Sequence, residues 1–495
     1  MNVRDESGGA PTSLTGRSRE LRGLRRDLDA QEVKLIQVSG PRGRGKTALL
    51  AHGLAGRRAL HFQSAPLPGQ TLVNDLTELT RGTLGEVPAP RRPGVLPFSS
   101  PAGEWMSLLM GIADSLEPEG EPLVLALDGA DELLGQERRL TEALGEMMDA
   151  VRARELPLTL VLTCRKPDSL DPLVGEERRL GAADRSLNLS PLPFRAAGWA
   201  HGGTSPRDAF LRWALLGENP AFLVHNELIS EEAASAVHRR VLSPDGDLWD
   251  APIRRLERSF QRPGRYAAIL RTLARGPSDW GDLLRRTPGM ESGGQLAPYL
   301  QRLEEEGLVE SVRPLGASPK SRNSRYRIPD PFLAFWFGWV LPVRSAITGR
   351  SPGAAWAELI EPTLDVHLQN ALERAAELWL RDHAEEALGA PAREAGGLWG
   401  GEADFPVTGR LANGQVCYGL VEWSADTAGM AVRMVRSMED TRYGIGRESR
   451  APLFFLAREG DEEIRRMVAR QPLARIIGLD TLMGHPEPEN SSPSN

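Results

Sequence analysis

Five short strand-like runs mark out the first two hundred positions: 33–38, 58–63, 123–127, 158–162 and 186–192. The third, Leu123-Val124-Leu125-Ala126-Leu127, has no polar residue, and the fourth, Leu158 to Leu162, has a single threonine. A strand with one wet face alternates apolar and polar residues. A nearly unbroken apolar run marks a strand covered on both faces, as in a parallel sheet. Between the runs, apolar residues recur at helical spacing, as at Leu21 with Leu24 and from Trp105 to Leu116. Strands alternating with helices predict an α/β fold with a parallel sheet and helices on both of its faces. Val87 to Gly103 is rich in Pro, Gly and Ser and predicts an insertion or long loop.

Beyond position 200 the pattern changes. Ala209 to Ile229 is helical, interrupted at Gly217-Glu218-Asn219-Pro220. Arg265–Gly276, Asp279–Arg286 and Gln295–Gly307 predict three helices. Leu308-Val309 and Tyr326–Ile328 predict two strands, joined by a loop carrying Lys320, Arg322 and Arg325. Three helices and a two-stranded wing make a winged helix-turn-helix. Pro331 to Phe337 is dense in aromatics and predicts a core helix packed on the wing. After it come a long helix (364–388), strands at 401–407 and 416–424, a helix at 430–438, a strand at 452–457 and a helix at 462–469. That order, α-β-β-α-β-α, is restriction-endonuclease-like. The expected division is a disordered 1–13, an α/β domain over 14–200, a helical subdomain over 201–262, a winged helix over 263–345, a small α/β domain over 346–483 and a disordered tail over 484–495.

The chemistry sits at the ends of the apolar runs. Gly40-Pro41-Arg42-Gly43-Arg44-Gly45-Lys46-Thr47 follows the first run and precedes Ala48-Leu49-Leu50. This is G-x-x-x-x-G-K-[ST] between a strand and a helix, the phosphate-binding loop of nucleoside triphosphatases. Glycines let backbone N–H groups fold around a phosphate, and the helix start adds the positive end of its dipole. Lys46 is placed to meet the β- and γ-phosphates of ATP, and the Thr47 hydroxyl to hold Mg2+. The third run ends in Asp128-Gly129-Ala130-Asp131-Glu132. Asp128 is the candidate for the magnesium shell, and Asp131 or Glu132 for orienting the attacking water. The fourth run ends in Thr163-Cys164-Arg165. There Arg165 either senses the γ-phosphate or belongs to an ordinary strand-to-loop turn. Pro220, in the turn after the 209–216 helix, either reports on bound nucleotide or is plain helix punctuation.

Composition narrows the partners. The chain has 495 residues, more than one ordinary core holds, and a net charge of −7. No overall basic field draws it to nucleic acid or to a membrane surface. The third predicted helix of the winged module ends in Glu304-Glu305-Glu306, a poor surface for phosphates. Binding to DNA is therefore an alternative to an intramolecular or protein contact, and a less favoured one. The two cysteines, Cys164 and Cys417, exclude a disulfide framework and a cysteine-rich zinc site and fit a reducing cytoplasm. The N-terminal stretch lacks the apolar segment of a signal peptide, and the most apolar run, 331–342, is well short of the roughly 20 residues of a membrane span.

The chain resembles the archaeal-type ATPases of the signal-transducing (STAND) class of P-loop NTPases, which also occur in bacteria. The resemblance rests on Gly16-Arg17 with Glu20-Leu21, on Gly40 to Thr47, on Asp128 to Glu132, on Gly217 to Pro220 and on the string Arg325 to Phe337. The acidic strand end is closer to the Asp-Gly-x-Asp-Glu form of NACHT-type NTPases. The resemblance implies a P-loop NTPase sheet, a helical and winged-helix region and, in many members, a nuclease-like domain of the PD-(D/E)xK type. In such a domain Asp404 and Glu422 would share a metal ion, with Glu373 as the supporting helix acid. The lysine expected two residues after the glutamate is Ser424 here. A hydroxyl brings no charge to the phosphate, so the implied nuclease site is degenerate. Asp404 and Glu422 also fit solvated acids at strand edges. The function expected is a Mg-ATP-driven switch; a DNA-acting protein, through the winged helix or through cleavage, is the alternative.

Overall fold

The computed structural model describes residues 14–485 apart from 15, 31, 33, 87–100, 172–173, 176–177, 224–231, 319–320, 322, 401–403, 425–428, 441–449 and 459–461. The expected disorder at 1–13, most of the expected 484–495 tail, most of the expected 87–103 loop and the wing residues Lys320 and Arg322 lie outside the described residues. The chain divides into two compact units, 1–192 and 193–495.

In the first unit the elements run α1 (Ser18–Asp29), β1 (Leu35–Ser39), α2 (Lys46–Leu54), β2 (Ala59–Gln63), α3 (Gly69–Leu84), α4 (Pro101–Asp114), β3 (Leu123–Asp128), α5 (Ala130–Gln136), α6 (Arg138–Ala153), β4 (Leu158–Cys164) and β5 (Arg185–Asn188). The five strands form one sheet in the order β2-β3-β4-β1-β5, with every neighbouring pair parallel. Alternate residues of the apolar runs go to opposite faces. Leu35, Leu125, Leu127, Leu160 and Leu162 pack with α3, α4 and α6. Ile36, Val38, Val124, Ala126 and Val161 pack with α1 and α2. Both faces are thus dry, which is why the runs lack alternation. Helix α4 begins at Pro101, four residues before the expected start, and so takes in the end of the expected loop.

The second unit continues with α7 (Phe194–Ala200), α8 (Pro206–Leu216), α9 (Ala233–Arg240), α10 (Ala251–Ser259), α11 (Pro263–Leu273), β6 (Ser278–Asp279), α12 (Trp280–Arg286), α13 (Gly293–Glu305), β7 (Glu310–Val312), β8 (Arg325–Arg327) and α14 (Pro331–Phe335). A π-helical turn, Trp336–Val340, extends α14. Two short helices follow, α15 (Arg344–Ile347) and α16 (Pro352–Ala355), and then the long α17 (Asp365–Leu388). Phe332, Phe335, Trp336 and Phe337 are buried, so the aromatic string is core. The strands β6, β8 and β7 form a small antiparallel sheet beside α11–α13. Leu308 and Val309 are buried ahead of β7 instead of opening it.

The last part holds β9 (Ala392–Leu398), β10 (Phe405–Leu411), β11 (Val416–Glu422), α18 (Met430–Asp440), β12 (Arg450–Leu456), α19 (Glu462–Arg470), β13 (Arg475–Gly478) and α20 (Leu479–Met483). The sheet order is β13-β12-β11-β10-β9. Pairing is parallel among β11, β12 and β13 and antiparallel from β11 to β9. Two strands, β9 and β13, were not expected, and β10 starts at Phe405, four residues later than the 401–407 reading. Among the described residues no helix is long and apolar enough to cross a membrane.

Candidate nucleotide site

The loop 40–45 turns between the end of β1 and the start of α2, and its glycines have the backbone that such a turn requires. Gly43 and Gly45 lie at φ 83° and 86°, the left-handed region that strains residues with a Cβ. At Gly40 a Cβ would sit 2.9 Å from the Leu189 carbonyl oxygen. Lys46 Nζ donates to the carbonyls of Gly40 (2.5 Å) and Pro41 (3.2 Å), folding the side chain back over the loop. Burial lowers the pKa of this ammonium, and the carboxylates of Asp128 and Asp131 offset part of that effect.

Because β4 lies between β1 and β3, the ends of three strands meet beside the loop. Asp128, the last residue of β3, is 5% exposed. Its Oδ2 accepts from Thr47 Oγ1 at 2.5 Å and its Oδ1 from Thr163 Oγ1 at 2.6 Å. Thr163 in turn accepts from the Gly129 N–H at 2.8 Å. His61 Nε2 is 3.7 Å from Asp128 Oδ2, too far for a hydrogen bond but within ion-pair range. Burial alone would raise the Asp128 carboxyl; His61 and the two threonine hydroxyls outweigh it and hold the group below its ordinary value.

Asp131 and Glu132 occupy the first turn of α5. Asp131 Oδ2 accepts from both the backbone N–H (3.2 Å) and Nε (3.3 Å) of Arg165, just past β4. Arg165 Nη2 lies 3.3 Å from Glu132 Oε1, which Arg42 of the loop also contacts. Thr47, Asp128, Asp131, Glu132, Arg165 and the loop therefore form one constellation. The donors fit magnesium, which takes oxygen ligands, keeps much of its water and needs one or two protein groups. A hydroxyl and an ionised carboxylate are already in contact at the loop's end.

Three participants were missed from the sequence as parts of this site. Thr163 and His61 reach Asp128 from the strands flanking β3, so their role depends on strand order. Arg17, 2% exposed, donates to Glu20 Oε1 (2.7 Å), to the Arg44 carbonyl (3.3 Å) and to the Ser190 carbonyl, tying the loop to the chain after β5. The conjunction of Gly16-Arg17 with Glu20 was the available signal.

The other sequence candidates lie in the second unit. Pro220 opens a 3-10 turn whose first N–H donor, that of Ala221, is capped by Asn219 Oδ1. Gly217, at φ 83°, ends α8. Glu373 on α17 accepts from Gln369 at 3.0 Å; burial and then nearby Glu422 raise its pKa, against that Gln369 bond and the pull of Arg325 and Arg327. Asp404 lies just before β10, 61% exposed and 3.6 Å from Arg325; Glu422 ends β11, and Ser424 is two residues beyond. Among the described residues no group of three His, Cys, Asp or Glu side chains is gathered to hold a metal ion, so Glu373, Asp404 and Glu422 do not make one.

Residues 36–188 match the family model described as "ATPase family associated with various cellular activities (AAA)". The match takes in all five strands of the sheet apart from Leu35, so this part of the chain is similar to ATPase domains of that type. Over 88 residues the chain is 36% identical to an uncharacterized protein of Methanocaldococcus jannaschii, covering 18% of this chain and 20% of that one. The match thus spans about a fifth of the curated relative's length. Among solved structures, the Walker-type ATPase of Pyrococcus abyssi is similar at 17% identity, over 68% of this chain and 99% of that one, with a TM-score of 0.48. The Orc1 protein of Aeropyrum pernix, solved in complex with DNA, is 15% identical over 70% and 95% of the two chains, with a TM-score of 0.31. A STAND protein of Pyrococcus horikoshii with a tetratricopeptide repeat sensor is 14% identical over 77% and 52%, with a TM-score of 0.29.

Proposed function

We propose that this chain is an ATP-binding and ATP-hydrolysing switch whose nucleotide state controls the arrangement of a winged-helix module (263–345) and a nuclease-like C-terminal module (346–483). The observation that carries the reading is the contact of Thr47 with Asp128 beside a loop of phosphate-binding form. In this reading Lys46 leaves the Gly40 and Pro41 carbonyls for the β- and γ-phosphates. Thr47 and Asp128 hold magnesium, which when bound neutralises phosphate charge. Asp131 is engaged by Arg165 and positions it at the end of β4, close to the place of the γ-phosphate. Glu132, released by Arg165 as that guanidinium turns to the γ-phosphate, orients the attacking water. Loss of the γ-phosphate returns Arg165 to Glu132 while Asp131 keeps its hold on the guanidinium, and that exchange is the switch. Pro220 belongs to the turn through which the second unit reports on nucleotide.

The test is an equilibrium titration of ATP into the full chain and its Lys46→Ala variant. The expected result is saturable, magnesium-dependent binding by the parent and its loss in the variant. Equal affinity of the two removes the reading.

A further inference from the structure

Three arginines line a groove of about 620 Å³ in the second unit, remote in sequence from the phosphate loop. Arg271 and the adjacent Arg275 come from α11 and its C-terminal extension, and Arg286 ends α12. Thr272, Gly338 and Leu341 form part of its wall, and no acidic residue lines it. In a chain with 67 acidic residues and a net charge of −7, an acid-free cluster of three guanidiniums is a local reversal of sign. Several buried or part-buried arginines of this unit are matched by acids: Arg327 with Glu377 and Glu310, Arg212 with Asp208, Arg240 with Asp247. Among the described residues no carboxylate is paired with Arg271, Arg275 or Arg286.

The groove also holds one of its charges in place. The Arg275 guanidinium lies 4.3 Å from the centroid of the Trp339 ring, a cation–π contact that fixes its direction. Burial, and then the like charge of Arg271, disfavours the charged form of Arg275, so the cluster is internally repulsive without a counter-charge. Arg271 is in the last turn of α11, and Arg275 follows two residues after the helix ends. The wall opposite contains the π-helical turn, where Gly338 leaves close approach to Ala274. Guanidinium forks pair bidentately with phosphate oxygens, and an acid-free groove lets several do so at once.

We infer that the groove between α11, α12 and the 336–342 turn binds the phosphodiester backbone of a nucleic acid through Arg271, Arg275 and Arg286. The contact is sequence-independent, because no base-reading side chain is needed for it. It uses the first two helices of the small module. The acidic end of α13 therefore does not oppose it.

The test is fluorescence anisotropy of a labelled 20-base-pair duplex with the full chain, measured across a salt series. The parent is compared with the triple variant Arg271→Gln, Arg275→Gln, Arg286→Gln and with the corresponding triple lysine variant. The parent is expected to bind, and the glutamine variant to lose at least tenfold in affinity. Three lost phosphate contacts should flatten the log–log salt slope by about 2.7. The lysine variant, which keeps the charge, should recover most of the slope. ATP titration and circular dichroism on each variant establish that the first unit and the fold are intact. Lys46→Ala should retain the duplex, so this proposal and the nucleotide reading fail separately. An unchanged salt slope in the glutamine variant overturns the inference. So does a parent that ignores the duplex but binds tripolyphosphate or poly-glutamate.

Discussion

Thr47 and Asp128 stand 81 positions apart in the chain and hold each other at 2.5 Å, hydroxyl to carboxylate, where β1 and β3 end. The separation is closed by the parallel sheet, with β4 between the two strands and Thr163 bonded to the other carboxylate oxygen. Asp128→Asn keeps the shape and removes the charge. Magnesium-dependent ATP affinity should fall by about 10–100-fold, as is typical when a metal site is perturbed. Binding of ATP in the presence of chelator should change far less. A titration with and without EDTA checks this.

Asp128→Ala goes further, leaving the buried Thr163 hydroxyl without its carboxylate acceptor, whereas the exposed Thr47 can turn to water. Unfolding of the first unit in urea should show a loss of about 1–3 kcal/mol, the cost of buried polar groups left unsatisfied. Asp128→Asn should lose less, because its amide oxygen still accepts from one threonine.

The ion pairs at α5 separate chemistry from stability. Arg165 is 39% exposed, and such pairs contribute about 0–1 kcal/mol. Arg165→Ala should therefore leave the denaturant midpoint nearly unchanged while slowing phosphate release. Glu132→Gln should slow hydrolysis by about 10²–10⁴-fold, the range for a lost acid–base group, with little effect on ATP affinity. A phosphate-release assay beside a binding titration distinguishes the two parameters.

The parallel sheet and the loop were legible because both leave local marks. Unbroken apolar runs reveal two dry faces, and the glycines of the loop are demanded by its backbone. What escaped depended on register. Thr163 reaches Asp128 because β4 pairs with β3 so that Leu162 aligns with Leu127, and nothing within either strand says so. His61 arrives the same way from β2. Strand β9, Ala-Arg-Glu-Ala-Gly-Gly-Leu, has two glycines and little β-propensity; its place is set by pairing with β10. Strand β13 has four residues and draws its stability from β12 beside it. The nuclease candidates were picked from the family resemblance, element order and residue type, and among the described residues no three acids are gathered as a metal site.

Arg17 offers a test of how the phosphate loop is kept in shape. It is buried, and it bridges the carbonyls of Arg44 and Ser190 while pairing with Glu20. Hydrogen bonds from a charged donor contribute about 1.5–3 kcal/mol. Arg17→Ala should cost about that much stability and weaken ATP binding, although the residue lies outside the loop. Arg17→Lys should recover little, since one ammonium cannot span the three acceptors that the planar fork reaches. Urea unfolding and ATP titration on the two variants decide it.

The second unit should be acid-sensitive for a reason unrelated to its surface charge. His201 and His367 are buried, and each places Nε2 against a backbone carbonyl, Gly217 at 3.0 Å and Ala214 at 2.8 Å. Burial pushes their pKa values down to about 3 and about 4; the charges of Arg240 and Arg212 add to the effect at His201, and the carbonyl bonds oppose it. Folded, both rings stay neutral; unfolded, both take a proton near the ordinary histidine value of about 6.5. Below that pH the unfolded chain binds more protons, so the stability that is fully present above about 6.5 falls as pH drops to about 4 for His367 and about 3 for His201. At about 1.4 kcal/mol per decade, each ring accounts for a loss on the order of 3–5 kcal/mol. Glutamine keeps an N–H donor and does not titrate. His201→Gln and His367→Gln should each flatten the curve of urea-unfolding free energy against pH in that window. A parent-like slope in both variants would show that other groups carry the acid sensitivity.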